Sequence, residues 1–167
     1  RNYAGKFAGP LRMREALAKS KNLVSIRILQ AIGVQYAQDY ITRFGFNPKL
    51  HPPYLPMALG AGSASPMQMI TGYAAFANGG FRVVPHLIKR VEDAKGEILE
   101  QTQPVLAGVD AKQIIDPRNA YIMTSMLKDV VKRGTAVKAK KLGRTDLAGK
   151  TGTTNNFIDA WFCGFQT

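Results

Sequence analysis

The chain is poor in several residue types, and each scarcity narrows the reading. Its single cysteine, Cys163, has no partner for an internal disulfide. Cys163 lies in a strand-like apolar run and reads as a buried structural thiol. Only two histidines are present, His51 and His86. Both neighbour prolines and neither sits in a Cys or carboxylate cluster, which argues against a metal site. No run is long and apolar enough to cross a bilayer. The opening Arg1-Asn2-Tyr3-Ala4-Gly5 offers neither a starting Met nor the apolar stretch of a signal peptide.

Acidic residues are scarce as well: 11 Asp and Glu stand against 23 Lys and Arg, a net charge of +12. Such a surplus suits nucleic acid, an anionic membrane surface or an acidic polymer. The cations are mostly dispersed, however, with one denser stretch at Lys132-Arg133 and from Lys138 to Arg144. No aromatic platform is interleaved with them, so nucleic acid is not the expected partner. A solvated surface explains the charge. What remains is an ordinary globular balance, 46% hydrophobic and 20% charged over 167 residues, enough for one domain or part of one.

The periodicities predict helices first. Pro10 is placed to open a helix over Leu11 to Lys19, and Ser20-Lys21-Asn22 interrupts it. Leu23 to Ile32 resumes the helical pattern up to Gly33, and Val34 to Phe44 forms a third helix closed by Gly45. Four prolines between Asn47 and Pro56 mark a loop. Ser65-Pro66 starts another helix with Met67, Ile70, Ala74 and Ala77 facing inward, stopped at Asn78-Gly79-Gly80. Leu87 to Val91 and Ile98-Leu99, around a turn at Asp93 to Gly96, predict a hairpin. Asp116-Pro117 caps a long helix running to Arg133, with Gly134 as its stop. Leu147 to Thr153 and Ile158 to Phe165 then read as two strands joined by the polar turn Thr154-Asn155-Asn156. Helices followed by a late antiparallel pair predict an α+β fold.

Two short segments could carry chemistry. The first is Lys150-Thr151-Gly152-Thr153. Thr151 and Thr153 share one strand face, so two hydroxyls could bind a carboxylate together. Gly152 between them would let a ligand backbone approach. The Lys150 amine could lower the pKa of a neighbouring hydroxyl or shuttle a proton. The tripeptide alone recurs by chance in ordinary strands. The second segment is Ser20-Lys21-Asn22, where the serine could relay a proton and the amide could hold a substrate carbonyl. Taken alone, it reads better as a helix N-cap.

The two segments in order, within their flanks, resemble the transpeptidase domain of the class A, bifunctional penicillin-binding proteins, most closely the 1A type. The resemblance is carried by Asn2-Tyr3, Gly9-Pro10-Leu11-Arg12, Ala16-Leu17-Ala18-Lys19-Ser20-Lys21-Asn22, Ala58-Leu59-Gly60 and Ser65-Pro66-Met67-Gln68-Met69. It continues through Tyr73-Ala74-Ala75-Phe76-Ala77-Asn78-Gly79-Gly80, Gly149-Lys150-Thr151-Gly152-Thr153-Thr154-Asn155 and Asp159-Ala160-Trp161-Phe162. It implies the penicillin-binding/β-lactamase-like fold, a helical subdomain with an antiparallel sheet. Of that family's three active-site motifs, Ser-x-Asn matches Ser20 and Asn22, and Lys-Thr-Gly matches Lys150, Thr151 and Gly152.

The family's nucleophile motif, Ser-x-x-Lys, is expected before Ser20, and nothing there matches it. Ser125-Met126-Leu127-Lys128 has the pattern but the wrong order. It falls on a polar helix stripe with Tyr121 and Lys132, which a solvent-facing side explains. The chain is therefore expected to be a partial domain over residues 1–167. The nucleophile helix and first strands would precede it, and a last strand and helix would follow.

By resemblance, the parent protein cross-links peptidoglycan stem peptides through a serine acyl-enzyme that β-lactams trap. Ser20 and Lys150 would assist proton transfer, Asn22 would bind the substrate amide, and Thr151 and Thr153 would bind the terminal carboxylate, with no metal or organic cofactor. A membrane anchor, a glycosyltransferase domain and a periplasmic location are implied for that parent. The chain alone is expected to be inactive. The competing readings are a D,D-carboxypeptidase or β-lactamase-like serine hydrolase, and, further off, a non-catalytic module binding an anionic polymer.

Overall fold

The computed structural model describes residues 9–154 and 158–166. Five helices and six short strands follow in chain order: α1 (Met13–Ala18), α2 (Asn22–Ile32), α3 (Val34–Ile41), α4 (Pro66–Ala77), β1 (Phe81–Arg82), β2 (Arg90–Glu92), β3 (Ile98–Gln101), β4 (Lys112–Gln113), α5 (Pro117–Arg133), β5 (Leu147–Thr153) and β6 (Ala160–Gln166). The strands pair antiparallel as β1 with β4, β2 with β3 and β5 with β6. None of the described helices is long and apolar enough to cross a membrane.

Helix α5 organises the site. Asp116 caps its start by accepting from the Arg118 amide, and Pro117 occupies the first turn. Its inward face presents Leu127, Val130 and Val131, all buried. Val130, Val131 and Ala136 pack with Leu147 of β5, so α5 lies against the strand carrying Lys150. Helix α1 packs on α5 as well. Asp129 is the clamp between them: it takes Arg14 of α1 at 2.8 Å and Arg133 of α5 at 3.0 Å. These hydrogen bonds, that of Arg133 foremost, hold the Asp129 carboxyl below the usual aspartate range against the opposing effect of burial.

A second core lies under α3 and α4, where Phe44, Ala75, Ile114, Ile115 and Ala120 meet Tyr40, Phe46 and Phe76. Tyr73 of α4 leans on Phe165 of β6 and ties this core to the β5–β6 pair. Burial, with Cys163 nearby, pushes its phenol up to about 12.

Several expectations need correction. Helix α1 begins at Met13, because Arg12 is extended and Pro10 lies outside the helix. The buried face of α4 is Thr71, Gly72 and Ala75, whereas Ile70 is 56% exposed. Gly72 lets the helix approach the Phe46 ring so closely that an added Cβ would sit 3.2 Å from it. Small residues rather than large apolar ones thus define the contact. Strand β6 starts at Ala160 rather than Ile158, and Cys163 is half-buried. The pairs β1–β4 and the 3₁₀ turn Val137–Leu142 have no counterpart in the sequence reading. The Asn2-Tyr3 match and the Asn155-Asn156 part of the predicted turn lie outside the described residues. The flanks of that turn are joined, with Thr154 N donating to Asp159 O at 3.0 Å and Asp159 N to Thr154 Oγ1 at 2.8 Å.

Candidate active site

Helix α1 delivers Ser20. The helix ends with the Ser20 amide bonded to Leu17 O and the Lys21 amide to Ala16 O, the double closure of a Schellman turn. In such a turn the residue after the cap is left-handed and is usually glycine. Here it is Ser20, at φ 50°, the one non-glycine residue with positive φ among those described. A serine in that conformation costs roughly 1–2 kcal/mol. The fold would be better served by glycine, so the hydroxyl is the feature that favours serine there.

The N-cap reading of Ser20-Lys21-Asn22 is thereby corrected. The cap of α2 is Lys21, with no side-chain capping bond, and Asn22 is the first helical residue rather than part of a non-helical junction. The Asn22 side chain is exposed beside Ser20 in sequence and takes no hydrogen bond among the described residues.

Strand β5 delivers the other half. Antiparallel register sets Lys150 opposite Cys163, Thr151 opposite Phe162 and Thr153 opposite Ala160. Lys150 Nζ donates to Ser20 Oγ at 2.9 Å and to Thr151 O at 2.9 Å. The two segments singled out in the sequence, far apart in the chain, therefore meet through their most reactive atoms. Burial lowers the Lys150 pKa, since no carboxylate among the described residues pairs with it to offset desolvation.

Thr153 and Gly152 are exposed and Thr151 is half-buried. At Gly152 an added Cβ would meet nothing within 4 Å, and its φ is not left-handed. Neither packing nor backbone conformation in the chain requires glycine there. The outer edge of β5, opposite β6, pairs with no strand among the described residues, which leaves it open to an extended ligand.

Thr135, absent from the sequence reading, also joins the site. Its Oγ1 lies 2.5 Å from Thr151 Oγ1. It follows Gly134 at the end of α5, a position that reads in sequence only as a helix stop. The signal is tertiary: Thr135 N donates to Ala18 O at 3.0 Å, and a Cβ on Gly134 would fall 2.2 Å from that same oxygen. Gly134 is extended, at φ −110°, so close approach and not left-handed backbone demands glycine.

Ser125 does not join the site. Arg14 Nη1 donates to both its Oγ and its carbonyl, each at 3.0 Å. The residue is half-buried under α1, as Lys128 is half-buried, whereas Tyr121 and Lys132 of the expected solvent-facing stripe are exposed; Ser125 is thus engaged elsewhere. Among the described residues no group of three His, Cys, Asp or Glu side chains is placed to hold a metal ion.

The family described as penicillin binding protein transpeptidase domain matches residues 1–167. Penicillin-binding protein 1A of Neisseria flavescens is 54% identical over 99% of this chain, which spans 21% of that protein. Penicillin-binding protein 1A of Pseudomonas aeruginosa is 39% identical over all of this chain, which spans 26% of it. The crystal structure of Penicillin-Binding Protein 1A from Haemophilus influenzae superposes with a TM-score of 0.93 at 29% identity, over 99% of this chain and 30% of that one. The chain thus spans between a fifth and a third of the length of these relatives.

Proposed function

This chain belongs to the penicillin-binding protein transpeptidase family, and on that premise we propose that it supplies two walls of a peptidoglycan D,D-transpeptidase site. The observation that carries the reading is the Lys150–Ser20 hydrogen bond. It links the two family motifs the chain contains, with Ser20 held in a conformation the fold does not favour.

In the proposed reaction, a serine outside this chain attacks the carbonyl of the penultimate D-Ala of a stem peptide. Its proton passes by way of Ser20 to the leaving D-Ala amine, and an acyl-enzyme forms. The amine of a second stem then takes the acyl group, losing a proton by the same route, and a cross-link results. The Lys150 cation holds the Ser20 oxygen in place and stabilises negative charge on it as the proton moves. Asn22 binds the substrate amide. Thr151 and Thr153 donate to the terminal carboxylate, and the absence of a side chain at Gly152 lets the substrate backbone lie along β5.

A β-lactam carries the same carboxylate and traps the acyl-enzyme. The parent protein would be membrane-anchored, with a glycosyltransferase domain, and would work on the periplasmic side of the cytoplasmic membrane. Residues beyond this chain complete the domain, and residues 1–167 alone are inactive in this reading.

The test is the reaction of the full-length protein with a stem pentapeptide and an amine acceptor. D-Ala release with matching cross-linked product, abolished by penicillin, supports the proposal. D-Ala release with hydrolysis and no cross-link would point to a D,D-carboxypeptidase instead.

A further inference from the structure

The pair Thr135–Thr151 holds a choice that the reaction above leaves open. Two hydroxyls 2.5 Å apart share one hydrogen bond, and each can be its donor. One proton is used between them and one is left free. If Thr135 donates, the Thr151 proton is free to point toward a bound ligand. If Thr151 donates, its proton is consumed and a carboxylate, which only accepts, finds a lone pair where it needs a donor.

Thr135 is held firmly enough to set that choice. Its amide is bonded to Ala18 O, and the flanking Gly134 and Ala136 amides are both bonded to Val130 O at 3.1 Å. Ala136 is buried, and Gly134 is pressed against α1 without room for a side chain. The hydroxyl thus stands on a fixed backbone, tied to the same end of α1 that carries Ser20.

We propose that Thr135 is a positioning residue for carboxylate recognition, donating to Thr151 Oγ1 and so turning the Thr151 proton toward the terminal carboxylate of the substrate. The proposal rests on the reading of Thr151 as a carboxylate ligand. It adds that specificity for a free carboxylate depends on a residue outside the Lys-Thr-Gly segment.

The test compares acylation of the full-length protein by a penicillin with a free carboxylate and by its methyl ester, in wild type, Thr135→Val and Thr135→Ser. Val keeps the shape of Thr and removes the hydroxyl, and Ser keeps the hydroxyl. Thr135→Val is expected to lower the acylation rate constant for the acid about fivefold, the order of one hydrogen bond between neutral groups. The ester should change by less than about twofold, and Thr135→Ser should preserve the wild-type preference for acid over ester.

An acid-to-ester ratio unchanged in Thr135→Val overturns the inference, whether both rates stay level or fall together as they would from misfolding. A ratio that falls equally in Thr135→Ser overturns it too. A wild-type protein that no penicillin acylates overturns the proposed function and this inference with it. A wild type that is acylated, beside an unchanged ratio in Thr135→Val, overturns this inference alone.

Discussion

Lys150 Nζ lies 2.9 Å from Ser20 Oγ, joining strand β5 to the end of α1 across 130 positions of the chain. The contact sits where the fold gains least. Ser20 takes a left-handed conformation that glycine would adopt freely, and Lys150 is partly desolvated without a carboxylate partner among the described residues. Stability and function should therefore separate at both positions. Ser20→Gly is expected to hold or raise stability by about 1 kcal/mol while lowering acylation by penicillin at least about a hundredfold. Thermal melts and acylation kinetics on one preparation check both halves. A loss of stability in Ser20→Gly would contradict the Schellman-turn account.

The Lys150 pKa gives a pH dependence of definite sign. Burial places it below the ordinary lysine value, so the folded protein releases this proton at lower pH than the unfolded chain. Between the two values the unfolded chain binds more protons, and stability rises with pH across that window. Below the folded value the desolvation penalty is present in full, so Lys150→Met should not destabilise the protein in that range. If the cation holds Ser20, acylation declines as pH rises through a value below the usual lysine range. In Lys150→Arg, which stays charged, that decline should vanish even where the rate itself is reduced. The pH–rate profiles of the two proteins decide it.

Asp129 should matter through α1. Its carboxylate links Arg14 to Arg133 and is only 15% exposed. Asp129→Asn is expected to cost about 1–3 kcal/mol. It should also raise amide exchange along residues 13–18 before other helices respond. The wild-type contribution is complete above the ordinary aspartate value and is lost as pH falls through the lower folded-state value. Hydrogen exchange at neutral and acidic pH measures both effects.

Two glycines make opposite predictions. Gly134→Ala puts a methyl 2.2 Å from the Ala18 carbonyl oxygen, where backbone must move. A loss of about 1–3 kcal/mol is expected, together with slower acylation as Thr135 and Ser20 shift. Gly152→Ala meets open space within the chain, so stability should stay within about 0.5 kcal/mol. If a substrate backbone lies over Gly152, acylation should nonetheless fall. Melting and acylation of the two variants form one experiment, and a stability loss in Gly152→Ala would show that the fold needs this glycine.

Much of this was legible in the sequence wherever local chemistry decides structure. Asp116-Pro117 and Gly134 bound α5 because caps and stops act within one turn, and the strand expected over Leu147 to Thr153 is present as β5. The inward face of α4 was misplaced because a helix that packs through Gly72 and Ala75 hides its contact among small residues, leaving Ile70 outside. Ser20 and Lys150 could be paired only by resemblance, since nothing local links them. Thr135 could not be found at all. Its role arises where the end of α5 crosses the end of α1, and a Gly-Thr pair after a helix carries no mark of that crossing.

The central claim is that residues 1–167 furnish Ser20 and Lys150 to a nucleophile they do not contain. The most direct measurement is to treat the full-length protein with labelled penicillin, digest it and locate the acylated serine by mass spectrometry, in wild type and in Lys150→Met. The account predicts one labelled serine outside residues 1–167, with labelling strongly slowed in Lys150→Met. Label on Ser125 or Ser20, or labelling indifferent to Lys150, would contradict it.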